Sequence, residues 1–150
     1  MIRARRRATA NPGPKSRGAL GRLAEQAAAR MLERRRLTVL ARNWRGGGGE
    51  LDLVALEGDT LVFVEVKART GGFLAAGHEP VSTHQRRRIV RAARAFRAYF
   101  GVTDAPHRFD LVTAAIGSNL ALAHCLRWRR DFIETRRHVA GARSVPFPAR

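Results

Sequence analysis

Two apolar runs, Glu50–Leu56 and Leu61–Lys67, flank the four residues Glu57-Gly58-Asp59-Thr60. Rich in Val, Leu and Phe and separated by a strong turn signal, they predict adjacent antiparallel strands of a hairpin. A two-residue loop would set Glu57 opposite Thr60, and a four-residue loop would set Leu56 opposite Leu61. Both loops give the same register, in which Asp52 faces Glu65 and Glu50 faces Lys67. Directly opposed residues have Cβ atoms roughly 4.5–5.5 Å apart, so two like charges would stand almost in contact. The neighbours Val62, Phe63, Val64 and Val66 are apolar, and burial raises the cost of that pair.

A divalent cation reverses the sign of the repulsion. Hard cations such as Mg²⁺ take oxygen ligands, use one or two carboxylates, and complete their shell with water and substrate phosphate. Asp52 and Glu65 are the candidate ligands. Lys67 adds a compositional argument, because Lys15 and Lys67 are the sole lysines among 29 basic residues. Where arginine is the default cation, a lysine two residues after Glu65 suggests a task a guanidinium cannot perform. A lysine amine can orient or deprotonate a water, whereas a guanidinium stays protonated. The plainer reading is a cross-strand ion pair between Lys67 and Glu50.

Around the hairpin the periodicity alternates between helix and strand. From Gly18 to Arg36, Leu20, Leu23, Ala24, Ala27, Ala28, Met31 and Leu32 recur at helical spacing, with Glu25 at the margin of the stripe. Leu37–Trp44 predicts a strand, followed by Gly46-Gly47-Gly48-Gly49, expected as a mobile loop beside the site. Arg69–Pro80 is expected as a loop. Thr83–Phe100 has an apolar face of Ile89, Val90, Ala93, Phe96 and Phe100 and a basic outer stripe of Arg87, Arg91, Arg94 and Arg88. Phe109–Ile116 and Leu120–Leu126 predict two last strands joined by Gly117-Ser118-Asn119. The order α-β-β-β-α-β-β gives an α/β fold, a mixed sheet flanked by helices, in one domain over residues 18–138. Residues 1–17 and 139–150, lacking apolar periodicity, are expected as a disordered basic arm and a disordered tail.

Asp52 followed by Glu65-Val66-Lys67 resembles the core motif of the restriction-endonuclease-like, PD-(D/E)xK, nuclease superfamily. More closely, Arg42-Asn43-Trp44-Arg45, Gly49-Glu50-Leu51-Asp52-Leu53-Val54-Ala55, Val62-Phe63-Val64-Glu65-Val66-Lys67-Ala68-Arg69 and Arg108-Phe109-Asp110-Leu111-Val112 resemble the YraN-like family of bacterial endonuclease-like proteins. The likeness runs from Gly18 to the segment around Trp128. It implies a restriction-endonuclease-like sheet and a Mg²⁺- or Mn²⁺-dependent endonuclease, a hydrolase cutting phosphodiester bonds of nucleic acid, with DNA the expected substrate. It also implies a further acid on the first helix, at Glu25, and so a catalytic set of Asp52, Glu65, Lys67 and Glu25, with Glu50 in support. The family often carries a lysine at the start of the second long helix. Here His84 and Gln85 stand in that region, and Gln85 is taken as a supporting residue. Nucleases of this type often act as dimers, which makes a homodimer an expectation.

The formal net charge is +17, with 29 basic residues against 12 acidic ones. Such an imbalance points to an anionic polymer as partner, with Arg45, Arg69, Arg87, Arg91 and Arg94 as the expected backbone contacts. A genome that favours arginine would enrich arginine but does not explain the scarcity of acids. No run approaches the roughly 18 apolar residues of a membrane span, and there is no signal-peptide pattern. Lone Cys125 permits no internal disulfide, so a cytoplasmic location is expected. The competing reading is a non-catalytic nucleic-acid-binding module on the same scaffold, which would depend on salt but not on metal.

Overall fold

The computed structural model describes residues 18–70, 81–116 and 125–135. The arm, the tail and most of the expected loop after Arg69 lie outside these residues. The elements run α1 (Ala19–Arg34), β1 (Thr38–Gly46), β2 (Gly49–Glu57), β3 (Thr60–Thr70), α2 (Thr83–Phe100), β4 (His107–Ile116) and β5 (Cys125–Arg129). This is a mixed α/β fold in the expected element order, with an open five-stranded sheet ordered β1-β2-β3-β4-β5. Three neighbouring pairs are antiparallel, and β3 and β4 are parallel. A parallel pair needs a crossover, and α2 is part of that connection.

Strand geometry sends alternate side chains to opposite faces, and β3 shows what each face meets. Val62 and Val64 join Leu53, Ala55 and Val112 under α1, which contributes Ala28, Ala29 and Leu32. Leu61 and Phe63 join Leu51, Val54, Phe109 and Leu111 under α2, which contributes Ile89, Ala92, Ala93 and Phe96. A strand covered on both faces reads as a continuous apolar run, which is why β3 shows no alternation in its sequence. Burying a side chain such as Phe63 or Phe96 contributes about 1.5–3 kcal/mol each.

The β2–β3 turn resolves the two loop alternatives: Glu57 pairs with Thr60, so the loop is the two-residue Gly58-Asp59, with Gly58 at φ 57°. The glycine run, expected as a mobile loop, is instead a second tight hairpin. Gly46 pairs with Gly49, and Gly47 and Gly48 take φ of 61° and 75°. Positive φ at both central residues marks the turn that matches strand twist. The tip packs on α2 so closely that a Cβ on Gly49 would lie 2.5 Å from the Arg88 carbonyl oxygen.

Of the last expected strand, Leu120–Leu126, residues 120–124 lie outside the described residues. Described residues place β5 at Cys125–Arg129, with Arg127 and Arg129 exposed and Trp128 partly buried against the α1 layer. Arginines on an edge strand hid it from a search for apolar runs, although charged edges are common. The two helices end alike. Val102 N–H donates to Arg97 O after α2, and Leu37 N–H donates to Leu32 O after α1. The left-handed residue is Gly101 (φ 69°) in one and Arg36 (φ 67°) in the other.

Candidate metal and nucleic-acid site

Asp52, Glu65 and Lys67 come together where regular pairing of β2 with β3 gives way. The ladder runs from Glu57↔Thr60 to Leu53↔Val64, so the next pair in register is Asp52 with Glu65. There the Asp52 Oδ2 accepts the Val66 N–H at 2.7 Å, and a side chain replaces a strand carbonyl. Strand β1 is irregular at the same level. Asn43, between Arg42 (paired with Leu53) and Trp44 (paired with Leu51), has φ of 52°. Asp52 and Glu65 are both 6 % exposed.

Glu65 lies on the α2 side of β3. Its Oε1 receives two donors, the Lys67 Nζ at 2.7 Å and the Gln85 Nε2 at 2.7 Å. Gln85 owes its place to the start of α2. Ser82 caps the helix, its Oγ accepting the Gln85 N–H at 3.2 Å. Ser-x-x-Gln is the pattern of a capping box, in which the glutamine would reach back to the cap residue's own N–H. Here the glutamine side chain turns to Glu65. His84, one residue earlier, is exposed.

One expected placement is corrected. Glu50 faces Arg45 across the β1–β2 ladder, with Arg45 Nε 3.1 Å from Glu50 Oε2, while Lys67 turns to Glu65. The cross-hairpin pair of Glu50 with Lys67 is thereby replaced, because β2 and β3 leave their regular ladder before reaching it. Glu25 sits on α1, beside Ala24, which packs with Ala114, Val66 and Ala68 on the face opposite α2. Among the described residues no group of three His, Cys, Asp or Glu side chains is close enough to hold one ion.

The donor set suits a hard cation. Two buried carboxylates supply oxygen alone, as Mg²⁺ or Mn²⁺ prefers, and one or two carboxylates are the usual protein share of a Mg²⁺ shell. Glu65 takes the Lys67 and Gln85 donors on Oε1, so Oε2 is the oxygen that would meet a cation.

Arg87, Arg91 and Arg94 are exposed along the outer face of α2. A groove of about 390 Å³ runs beside them, lined by Thr83, Arg86, Arg87, Val90, Arg91 and Ile133. Of the other expected contacts, Arg45 is held by Glu50, and Arg69 Nη1 donates to Ala68 O at 3.2 Å. No described helix is long and apolar enough to cross a membrane.

One polar cluster escaped the functional reading of the sequence. Asp110, fully buried, accepts Arg108 Nε on both oxygens (3.0 and 3.1 Å), Trp128 Nε1 at 3.0 Å and the Asp131 N–H at 2.9 Å. Arg108 also reaches Glu57 Oε2 at 2.6 Å, which Arg130 contacts as well. The Arg-Phe-Asp string was visible, but its partners Trp128 and Asp131 lie too far along the chain for spacing to suggest them.

The family model that matches residues 24–114 carries the description "Uncharacterised protein family UPF0102". Matching relatives, each called a UPF0102 protein, include one from Nitratidesulfovibrio vulgaris, 42% identical over 110 residues, 73% of this chain and 82% of the relative. Another, from Desulforapulum autotrophicum, is 48% identical over 94 residues, 62% of this chain and 77% of the relative. A third, from Bacteroides thetaiotaomicron, is 43% identical over 100 residues, 67% of this chain and 81% of the relative. The matched span takes in most of α1, the irregular β2–β3 hairpin, α2 and most of β4, and by this match and these relatives the chain belongs to the UPF0102 family, the YraN-like group.

Proposed function

We propose that the protein is a metal-dependent nuclease of the restriction-endonuclease-like kind, hydrolysing phosphodiester bonds of nucleic acid, with DNA the preferred reading. The observation that carries it is the convergence of Lys67 and Gln85 on one oxygen of buried Glu65, opposite buried Asp52. A protein that needed this corner only for stability would do better with apolar pairs, because like charges opposed in a sheet are destabilising.

Asp52 and Glu65 would hold Mg²⁺ or Mn²⁺, which supplies Lewis acidity at a phosphoryl oxygen and a more acidic bound water. The Val66 N–H fixes the Asp52 carboxylate through Oδ2. Gln85 fixes the Glu65 carboxylate from α2, and the same contact ties the helix carrying the arginine stripe to the site. Lys67, half-buried beside Glu65, positions the attacking water and offers positive charge to the phosphate. Exposed Arg87, Arg91 and Arg94 hold the backbone without reading sequence.

The test is cleavage of labelled linear, branched and single-stranded DNA and RNA with Mg²⁺, Mn²⁺ or EDTA. Asp52→Ala and Glu65→Ala should abolish metal-dependent cutting while leaving binding largely intact. Lys67→Ala should cost about 10²–10⁴-fold in rate, and Gln85→Ala about 10–100-fold in metal affinity or rate. Cleavage that survives both acid substitutions refutes the assignment, and binding without cutting under every metal favours a non-catalytic module.

A further inference from the structure

We infer that the groove beside α2 is a binding track for a single nucleic-acid strand, leading away from the Asp52–Glu65 corner. The inference rests on the nuclease reading for what happens at that corner, and not for the binding itself. Thr83, Arg86 and Arg87 line the groove, and they flank Gln85, whose amide touches Glu65. Along the helix axis the groove therefore starts level with Gln85, on a flank of α2 turned about 100–200° from the amide that meets Glu65.

Its other wall comes from the segment after β5. Phe132 N–H donates to Phe109 O at 2.8 Å, and Phe109 pairs with Phe63, two residues before Glu65. That bond seats Ile133 opposite Val90.

The lining combines two chemistries. Exposed Arg87 and Arg91, one turn apart, offer charge along the rim, and Val90 with Ile133 offers an apolar floor. Arg86 is drawn in, its Nε donating to Val81 O at 3.3 Å and its guanidinium lying 5.8 Å from the centre of the Phe132 ring. A flat guanidinium so held offers a stacking plane to a base. Single-strand sites pair a positive groove that follows the backbone with surfaces for unstacked bases. A duplex hides its bases and needs the arginines alone, and its width keeps it on the rim, off the apolar floor. About 390 Å³ suits a nucleotide-sized group, so the occupant is a single strand, of DNA or RNA.

The experiment is fluorescence anisotropy in EDTA, where cutting is blocked, with a labelled single strand of DNA, the same sequence as RNA, and the DNA duplex. Arg87→Ala/Arg91→Ala should weaken single-strand binding about tenfold and reduce the salt slope by about 1.4, from two lost phosphate contacts. The exposed pair Arg30→Ala/Arg34→Ala on α1 removes equal charge and should change affinity less than twofold. Val90→Gln should weaken single-strand binding at least threefold and leave duplex binding unchanged, and Val90→Thr, which keeps the side chain's shape, carries the same expectation. Equal loss in the α1 control pair, no loss in either Val90 variant, or tighter wild-type binding to duplex than to single strand overturns the inference. Expected binding losses without cutting under any metal would keep the track and remove the nuclease. Cutting with binding indifferent to these variants would do the reverse. The DNA and RNA arms show which sugar the track accepts.

Discussion

Adding one methyl group at Gly49 should loosen the whole site, and the glycine turn supplies its own controls. A Cβ on Gly49 would lie 2.5 Å from the Arg88 carbonyl oxygen and 3.3 Å from the Ala92 Cβ. Its backbone is not left-handed, so Gly49→Ala reports steric overlap with helix backbone, which cannot rotate away. Overpacking of this kind costs about 1–3 kcal/mol. Gly48→Ala isolates the other term, because φ is 75° and no atom lies within 4 Å of the added carbon. That cost is about 1–2 kcal/mol, and Gly58→Ala, at φ 57° in equally open space, should match it. Gly47→Ala combines both, with φ 61° and the Arg91 carbonyl oxygen at 2.8 Å, so it should cost about 2–5 kcal/mol, the sum of the two ranges. Urea denaturation reads these differences, a 2 kcal/mol loss moving the midpoint about 1 M at a slope of about 2 kcal/mol/M. Gly49→Ala should also slow cleavage, since Arg88 is one turn from Gln85 and a displaced α2 carries the amide off Glu65. A Gly49→Ala protein within about 0.5 kcal/mol of wild type, the usual range for an inconsequential surface change, would refute the claim that this close approach seats the helix.

His107 packs edge-on to Phe63 and Phe109, and burial, then the Arg97 charge, lowers its pKa against a raising hydrogen bond to the Ala105 carbonyl. The unfolded chain then takes up the proton first as pH falls through the ordinary histidine range. Stability should therefore drop as pH goes from about 7 towards 5, and urea midpoints should show a shallower drop for His107→Gln. Arg36 holds the left-handed position that Gly101 holds after α2, so Arg36→Gly should raise the unfolding free energy by up to about 1 kcal/mol, from relief of that strain. Thermal unfolding checks it, and a lowered melting temperature would count against the strain.

What the sequence made legible was local or periodic. The β2–β3 register followed from two apolar runs and the turn between them, and Thr83–Phe100 matched α2 to the residue because Ser82 and Gly101 bound an amphipathic run. Gln85 was singled out through the family resemblance, but not its partner, since only the crossover brings α2 over Glu65. The glycine run misled because four permissive residues fit a mobile loop and a tight hairpin equally well, and the deciding contact is with a helix some forty residues away in sequence. At Arg36 there was no signal at all, because a residue of the wrong type holds the turn.

The three buried carboxylates, Asp52, Glu65 and Asp110, separate by how their oxygens are occupied. Burial alone would rank Asp110 first as a functional acid. Yet both of its oxygens are filled by Arg108, the Trp128 indole and the Asp131 N–H, donors drawn from β4, β5 and the segment after it. A buried charge so satisfied is held in place, and breaking it costs about 3–5 kcal/mol because the remaining partners are left uncompensated. Glu65 differs, with Lys67 and Gln85 both on Oε1. The neighbouring strand adds a second carboxylate, Asp52, and the cation against Glu65 is Lys67, two residues along the same strand. In a protein with 29 basic side chains against 12 acidic ones, an arginine opposite Glu65 would have been the ordinary solution. Its place is taken by a second carboxylate, an arrangement that the proposed divalent cation would stabilise.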